Sequence, residues 1–230
     1  MREVVLLDVT AMAGDAVCIA GVDRKTGEQL RLNDPQPTRA MVRRLGGLAP
    51  GDVLSIDWKA VRRPDPPHTE DGEWKLRSLK RLGHLDHAAL TVLLSGSAFN
   101  SLGDAFGEAA FKGRNRNSAW RVRAGTRSLA TLAVRYVRVE EDQDGRVRIA
   151  FKDAAGAYWG GVPFQDLSVR MHQDGCDDCA KAFLARVQAE FTVNRSLIRV
   201  GLTRPFAPEG HETACWLQVT NIFARPREHF

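Results

Sequence analysis

The chain has 230 residues, 43% of them hydrophobic and 27% charged, with a formal net charge of +5 and a sequence pI near 9.3. That length and apolar content are enough for one large domain or two small ones with a real core, and they exclude extended disorder. The mild basicity admits an anionic partner, and the lack of a run of about 18 apolar residues excludes a membrane-spanning helix.

The N-terminus opens on Val4-Val-Leu-Leu7, bounded by Asp8 and Thr10 rather than continuing into the apolar block of a signal peptide, so a cytoplasmic location is expected. In that compartment the four cysteines are expected as thiols or metal ligands, not disulfides. Residues 16–22, a polar turn ending in Gly27, and residues 29–32 form a predicted hairpin. Leu30 and Leu32 then face a core and Arg31 the opposite side. Another strand is predicted over 53–58. The proline-dense stretch 64–72 is predicted to be a loop, with its acids and the basic residues 75–81 exposed. A helix entered through Asp86 is predicted over 85–94.

Residues 129–139 alternate as a long strand, 146–151 return after an acidic turn, and short extended pieces follow at 157–159 and 166–169. Residues 177–191 carry apolar side chains on one helical face, and strands are predicted over 197–202 and 216–222. Strand, hairpin, strand, helix, strands is the order of a five-stranded partly open barrel, met twice. The expected fold is therefore mainly β with a few helices, as two tandem OB-like barrels over 1–125 and 126–230.

Several of these segments carry a family resemblance. Val4-Val-Leu-Leu7, Val17-Cys-Ile-Ala-Gly21 and Gly27-Glu-Gln-Leu-Arg-Leu32 resemble the opening strands of the dual OB-containing domain family. Residues 166–170, 198–206 and 215–223 are similar to its later motif and its closing strands. Gln29 stands where that family usually carries an aromatic, and Leu32-Asn33 replaces a residue followed by proline. The resemblance implies two oligonucleotide-binding-type barrels and a nucleic-acid-binding role, with no catalytic residues to carry across.

The strongest functional signal in the residues themselves is the run 112–127, which holds Lys112, Arg114, Arg116, Arg121, Arg123 and Arg127 around Trp120 and contains no acid. Guanidinium groups fork onto phosphate oxygens, and an indole offers a stacking face for a base. The competing reading is a linking strand whose tryptophan is core and whose arginines are merely its wet face. Arg31 and Arg204 extend the candidate basic surface, with Tyr158 and Trp159 as further stacking faces. The expected partner is DNA or RNA, and a larger protein is the other candidate.

A second constellation is His172, Cys176, Cys179 and, much later, Cys215, a ligand count that suits zinc or an iron–sulfur cluster. It supports an alternative in which the chain is a metal-dependent enzyme or sensor, although the binding reading needs no cofactor. The acids around Cys176 also serve as plain helix N-terminal residues. No phosphate-binding Gly-rich loop, nucleophile elbow or zinc-protease helix occurs, so the residues favour a binding module over an enzyme and leave the enzyme reading open.

Overall fold

A computed structural model describes residues 1–107, 110–112, 118–170 and 196–224. In chain order the first half contains β1 (Arg2–Ala11), β2 (Val17–Asp23), β3 (Gln29–Asp34), α1 (Arg39–Arg44), β4 (Asp52–Ile56), β5 (Trp58–Ala60), β6 (Asp71–Trp74), β7 (Lys80–His84) and α2 (His87–Ser95). The second contains β8 (Ala98–Phe99), α3 (Leu102–Phe106), β9 (Ala110–Lys112), β10 (Ser118–Arg121), β11 (Leu129–Glu141), β12 (Val147–Asp153), β13 (Tyr158–Pro163), β14 (Ser196–Leu202) and β15 (Ala214–Ala224). The fold is mainly β, with two OB-like sheets that each curl around an apolar cluster. The first runs β5-β6-β3-β2-β1-β4-β7 and the second β13-β12-β11-β14-β15-β10-β9, with β8 added in parallel to β11.

The predicted hairpin forms as β2 and β3, paired Ile19 to Leu32 and Ala20 to Arg31. Leu30 and Leu32 enter the first core beside Val17, Ile19, Trp58 and Trp74. The helix entered through Asp86 also forms, and the Asp86 carboxylate accepts from Ala89 N at 2.8 Å. By contrast, residues 166–169 make no strand. Asp166 forms a single bridge to Thr10 and its carboxylate accepts from Ser168 N and Val169 N, starting a helical turn over 167–170. The helix expected over 177–191 lies outside the described residues.

Strand pairing puts the division between the halves earlier than residue 125. β10 pairs with β15, β8 with β11, and α3 buries Leu102, Ala105 and Phe106 in the second core, so the chain changes sheets after α2. The basic run sits at the expected boundary, where one strand-rich half gives way to the other. It instead contributes β10 and an end of β9 near the edge of the second sheet.

The two sheets pack through their non-core faces. Val4, Leu6 and Val9 of β1 enter the first core, while Val5 and Leu7 join Leu90, Leu94, Leu197 and Phe223 in a third apolar cluster between the sheets. A register shift between Leu6 and Asp8 then turns Asp8 and Thr10 toward the second sheet. β1 is thus buried on both faces, which is why its sequence reads as a continuous apolar run and not an alternation.

Candidate functional site

Beyond the apolar cluster, the contact between the sheets becomes ionic. Asp8 of β1 and Arg199 of β14 are both fully buried and 2.6 Å apart at closest approach. The Arg199 guanidinium also donates to Thr131 Oγ1 at 3.2 Å and Gln29 Oε1 at 3.1 Å, and Thr220 Oγ1 donates to Asp8 at 2.6 Å. Gln29, the departure from the family's usual aromatic, therefore serves as an acceptor for this buried cation.

A second ionic group centres on Arg31. Its side chain lies opposite Leu30 and Leu32, as strand alternation requires, but the second sheet covers that face and leaves Arg31 7% exposed. Arg31 donates to Asp71 Oδ1 at 3.1 Å and to Ser128 Oγ at 2.8 Å. Glu70 completes the group by accepting from Ser128 N, Ser128 Oγ and Leu129 N at 2.7 to 3.0 Å. Burial works against the Arg31 cation, but Cys18 together with the Glu70 and Asp71 carboxylates outweighs it and raises its pKa above the ordinary value. Arg204 donates to the other Asp71 oxygen and to Asn33 Oδ1.

Arg31 is therefore not part of an open basic surface, while Arg204, its side chain 40% exposed, shares the Asp71 carboxylate with it. The proline-dense stretch expected to be exposed supplies that carboxylate. Within it His68, Glu70 and Asp71 are buried against the second sheet. The signal for this was Arg31 itself, since a charged residue between two core leucines on a covered strand needs carboxylate partners from elsewhere.

Between the sheets lies a cavity of about 470 Å³, lined among others by Cys18, Arg31, His68, Leu202, Arg204 and Phe206. His68 Nε2 lies 3.2 Å from the Leu202 carbonyl oxygen. Burial, reinforced by the Arg31 and Arg204 cations, lowers its pKa to about 4, so it is neutral near pH 7. Cys18 is half-buried on the cavity wall, and burial pushes its thiol pKa up.

Of the other sequence candidates, Arg127 lines a hollow together with Gln29 and Glu70 of the ionic groups between the sheets. Register pairs Lys112 with Ser118 and Trp120 with Cys215, while Arg114 and Arg116 lie outside the described residues. Arg121 and Arg123 are exposed at and just beyond the end of β10, and Arg123 has a left-handed backbone at φ 63°. Among the described residues no carboxylate pairs with either. The Arg127 guanidinium stacks 4.8 Å above the Phe99 ring. Tyr158 is exposed, while Trp159 donates its indole N–H to Asp153 at 3.1 Å.

Of the candidate metal ligands, His172, Cys176 and Cys179 lie outside the described residues. Cys215 is buried in the second core beside apolar side chains, and burial raises its pKa. Among the described residues no group of three His, Cys, Asp or Glu side chains could hold a metal. None of the described helices is long and apolar enough to cross a membrane.

The profile of the dual OB-containing domain matches residues 2–222, nearly the whole chain. The chain belongs to that family. Both of its barrels are present as sheets, and the stretches carrying the resemblance, 17–21, 27–32 and 198–206, meet where the two sheets face each other. No curated protein matches the chain.

Proposed function

We propose that this dual OB-containing protein is a non-catalytic, cytoplasmic nucleic-acid-binding module whose contact surface is the basic segment from Lys112 to Arg127. The observation that carries the reading is the pair Arg121 and Arg123, exposed and unmatched by any carboxylate among the described residues. They follow β10, which with β9 extends the second sheet beyond β15, and sheet faces and loops of OB-type barrels are where such folds meet oligonucleotides. Lys112, Arg114 and Arg116 belong to the same contiguous run, and no acid interrupts it. Arg31, buried on Asp71, contributes nothing to phosphate neutralisation in this reading, while Arg204 shares that single carboxylate and keeps a side chain 40% exposed.

Affinity from phosphate neutralisation releases counterions, so the logarithm of the binding constant falls linearly with the logarithm of salt concentration. For a single strand the slope is about −0.7 per neutralised phosphate. The double variant Arg121→Ala/Arg123→Ala is expected to shallow that slope by about 1.4 if each arginine meets one phosphate. Titration of a fluorescent single-stranded oligonucleotide at several ionic strengths measures it. A salt-independent affinity, or an unchanged slope in the variant, would reject the proposal.

A further inference from the structure

Among the described residues, the wall of the cavity between the sheets holds more positive charge than it balances. Arg31, Arg170 and Arg204 line it, and Asp8 is the carboxylate among them. Asp8 already belongs to Arg199. Asp71 gives one oxygen to Arg31 and the other to Arg204, and Glu70 also offsets the Arg31 charge. His68, neutral near pH 7, adds nothing. Arg170 is the cation left over.

Arg170 is half-buried on the helical turn over 167–170. The Asp166 carboxylate that starts this turn accepts from Ser168 N, Ser168 Oγ and Val169 N, not from Arg170. Among the described residues no carboxylate forms an ion pair with Arg170. Burial costs such a cation its hydration, and an anion in the cavity would offset that cost. Arg204 offers a second guanidinium to the same anion, because its side chain stays partly exposed while it holds Asp71.

The rest of the wall narrows the ligand class. Leu32, Leu129 and Leu202 are buried there, and Met12 and Phe206 are exposed. A volume of about 470 Å³ is within the range of small-molecule sites. A single surplus cation matches a single negative charge, which a carboxylate carries, whereas a phosphate monoester carries about −1.5 to −2. The planar fork of a guanidinium also matches the two oxygens of a carboxylate.

We propose that the cavity binds a small organic carboxylate, its charged group held by Arg170 and Arg204 and its apolar body packed on Leu202 and Phe206. This site is separate from the Lys112–Arg127 surface and does not rest on that reading.

Isothermal titration calorimetry of the full-length protein tests it with two probes, 2-naphthoate and octanoate, and their neutral counterparts, 2-naphthamide and octanamide. Ionic strength is held constant throughout. At least one carboxylate is expected to bind one molecule per chain, about tenfold or more tighter than its amide, as charge-assisted hydrogen bonds require. Binding of neither carboxylate, or equal affinity for acid and amide, overturns the proposal.

Arg170→Met should weaken the carboxylate about tenfold or more and leave the amide unchanged. Arg170→Lys, which keeps the charge, should recover part of the loss. Unchanged carboxylate affinity in Arg170→Met, or equal weakening of acid and amide, overturns the proposed contact, since loss of cavity shape alone would affect both. Arg121→Ala/Arg123→Ala should leave carboxylate binding as it is, and a loss there would move the anion to the basic surface and overturn the cavity site. Displacement of the carboxylate by a short mixed-sequence single-stranded DNA would assign the cavity to a nucleic-acid strand and overturn the proposal as well.

Discussion

At the scale of single residues, buried charge governs this protein's behaviour. Arg199 and Asp8 neutralise each other at the meeting of the two sheets, and Thr131 and Gln29 also accept from the guanidinium. Truncation to Arg199→Ala leaves the Asp8 carboxylate buried without its cation and is expected to cost about 3–5 kcal/mol, measurable by urea denaturation. His68 sets a pH dependence of defined sign. Its pKa is about 4 in the fold against 6.5 ordinarily, so between those values the unfolded chain binds more protons. Its contribution is complete above about pH 6.5 and lost progressively as pH falls toward 4, up to about 3 kcal/mol. Comparing urea midpoints of wild type and His68→Gln across that range should show a flatter acid slope in the variant. Neither Asp8 nor His68 was legible as functional in the sequence. Asp8 looked like the end of an apolar strand and His68 like part of a proline-rich loop, because sequence shows neither depth nor partner.

At the scale of elements, the strands and helix with strong local signals were readable. The β2–β3 hairpin, β4, the capped α2 and the long β11 all lie where alternation, turn residues or an Asp cap predict them. The elements that sequence reasoning missed are short or unpatterned. α1 has six residues, α3 has five, and β7 is exposed along its whole length, so none offers a clear apolar period. β6 hid at the end of the proline-dense stretch because a long loop, not a tight turn, joins it to its antiparallel partner β5, and its other partner, β3, is parallel and distant in sequence. Its Gly72 lies against the Trp58 indole, where an added Cβ would sit 2.0 Å from Nε1. Gly72→Ala should displace the ring, disrupt its 3.1 Å bond to the Arg31 carbonyl and destabilise by about 1–3 kcal/mol or more. A lower urea midpoint with a shifted tryptophan emission would record both effects.

At the scale of the whole molecule, the two sheets share apolar and ionic contacts. Val5 and Leu7 share an apolar cluster with Leu197 and Phe223, and three arginine–carboxylate contacts involve both halves or their shared groove. Two barrels joined this way should unfold together. Far-ultraviolet dichroism and tryptophan fluorescence should give superimposable urea transitions. Two separated transitions would show that the barrels are independently stable. The expected division at residue 125 came from meeting the barrel-like order of strands twice along the chain. In the structure the basic segment there supplies β10 to the second sheet.

The sequence by itself determined the β-rich class, the paired-barrel order and the family, because alternation, turn chemistry and cap residues are local properties written a few positions apart. Tertiary structure decided which polar faces are wet. Period-two patterning marks the two sides of a strand but not what covers the second side. Arg31, Arg199 and Arg204 took their partners from segments 40 to 191 positions away, and only packing one sheet on the other brought those groups together.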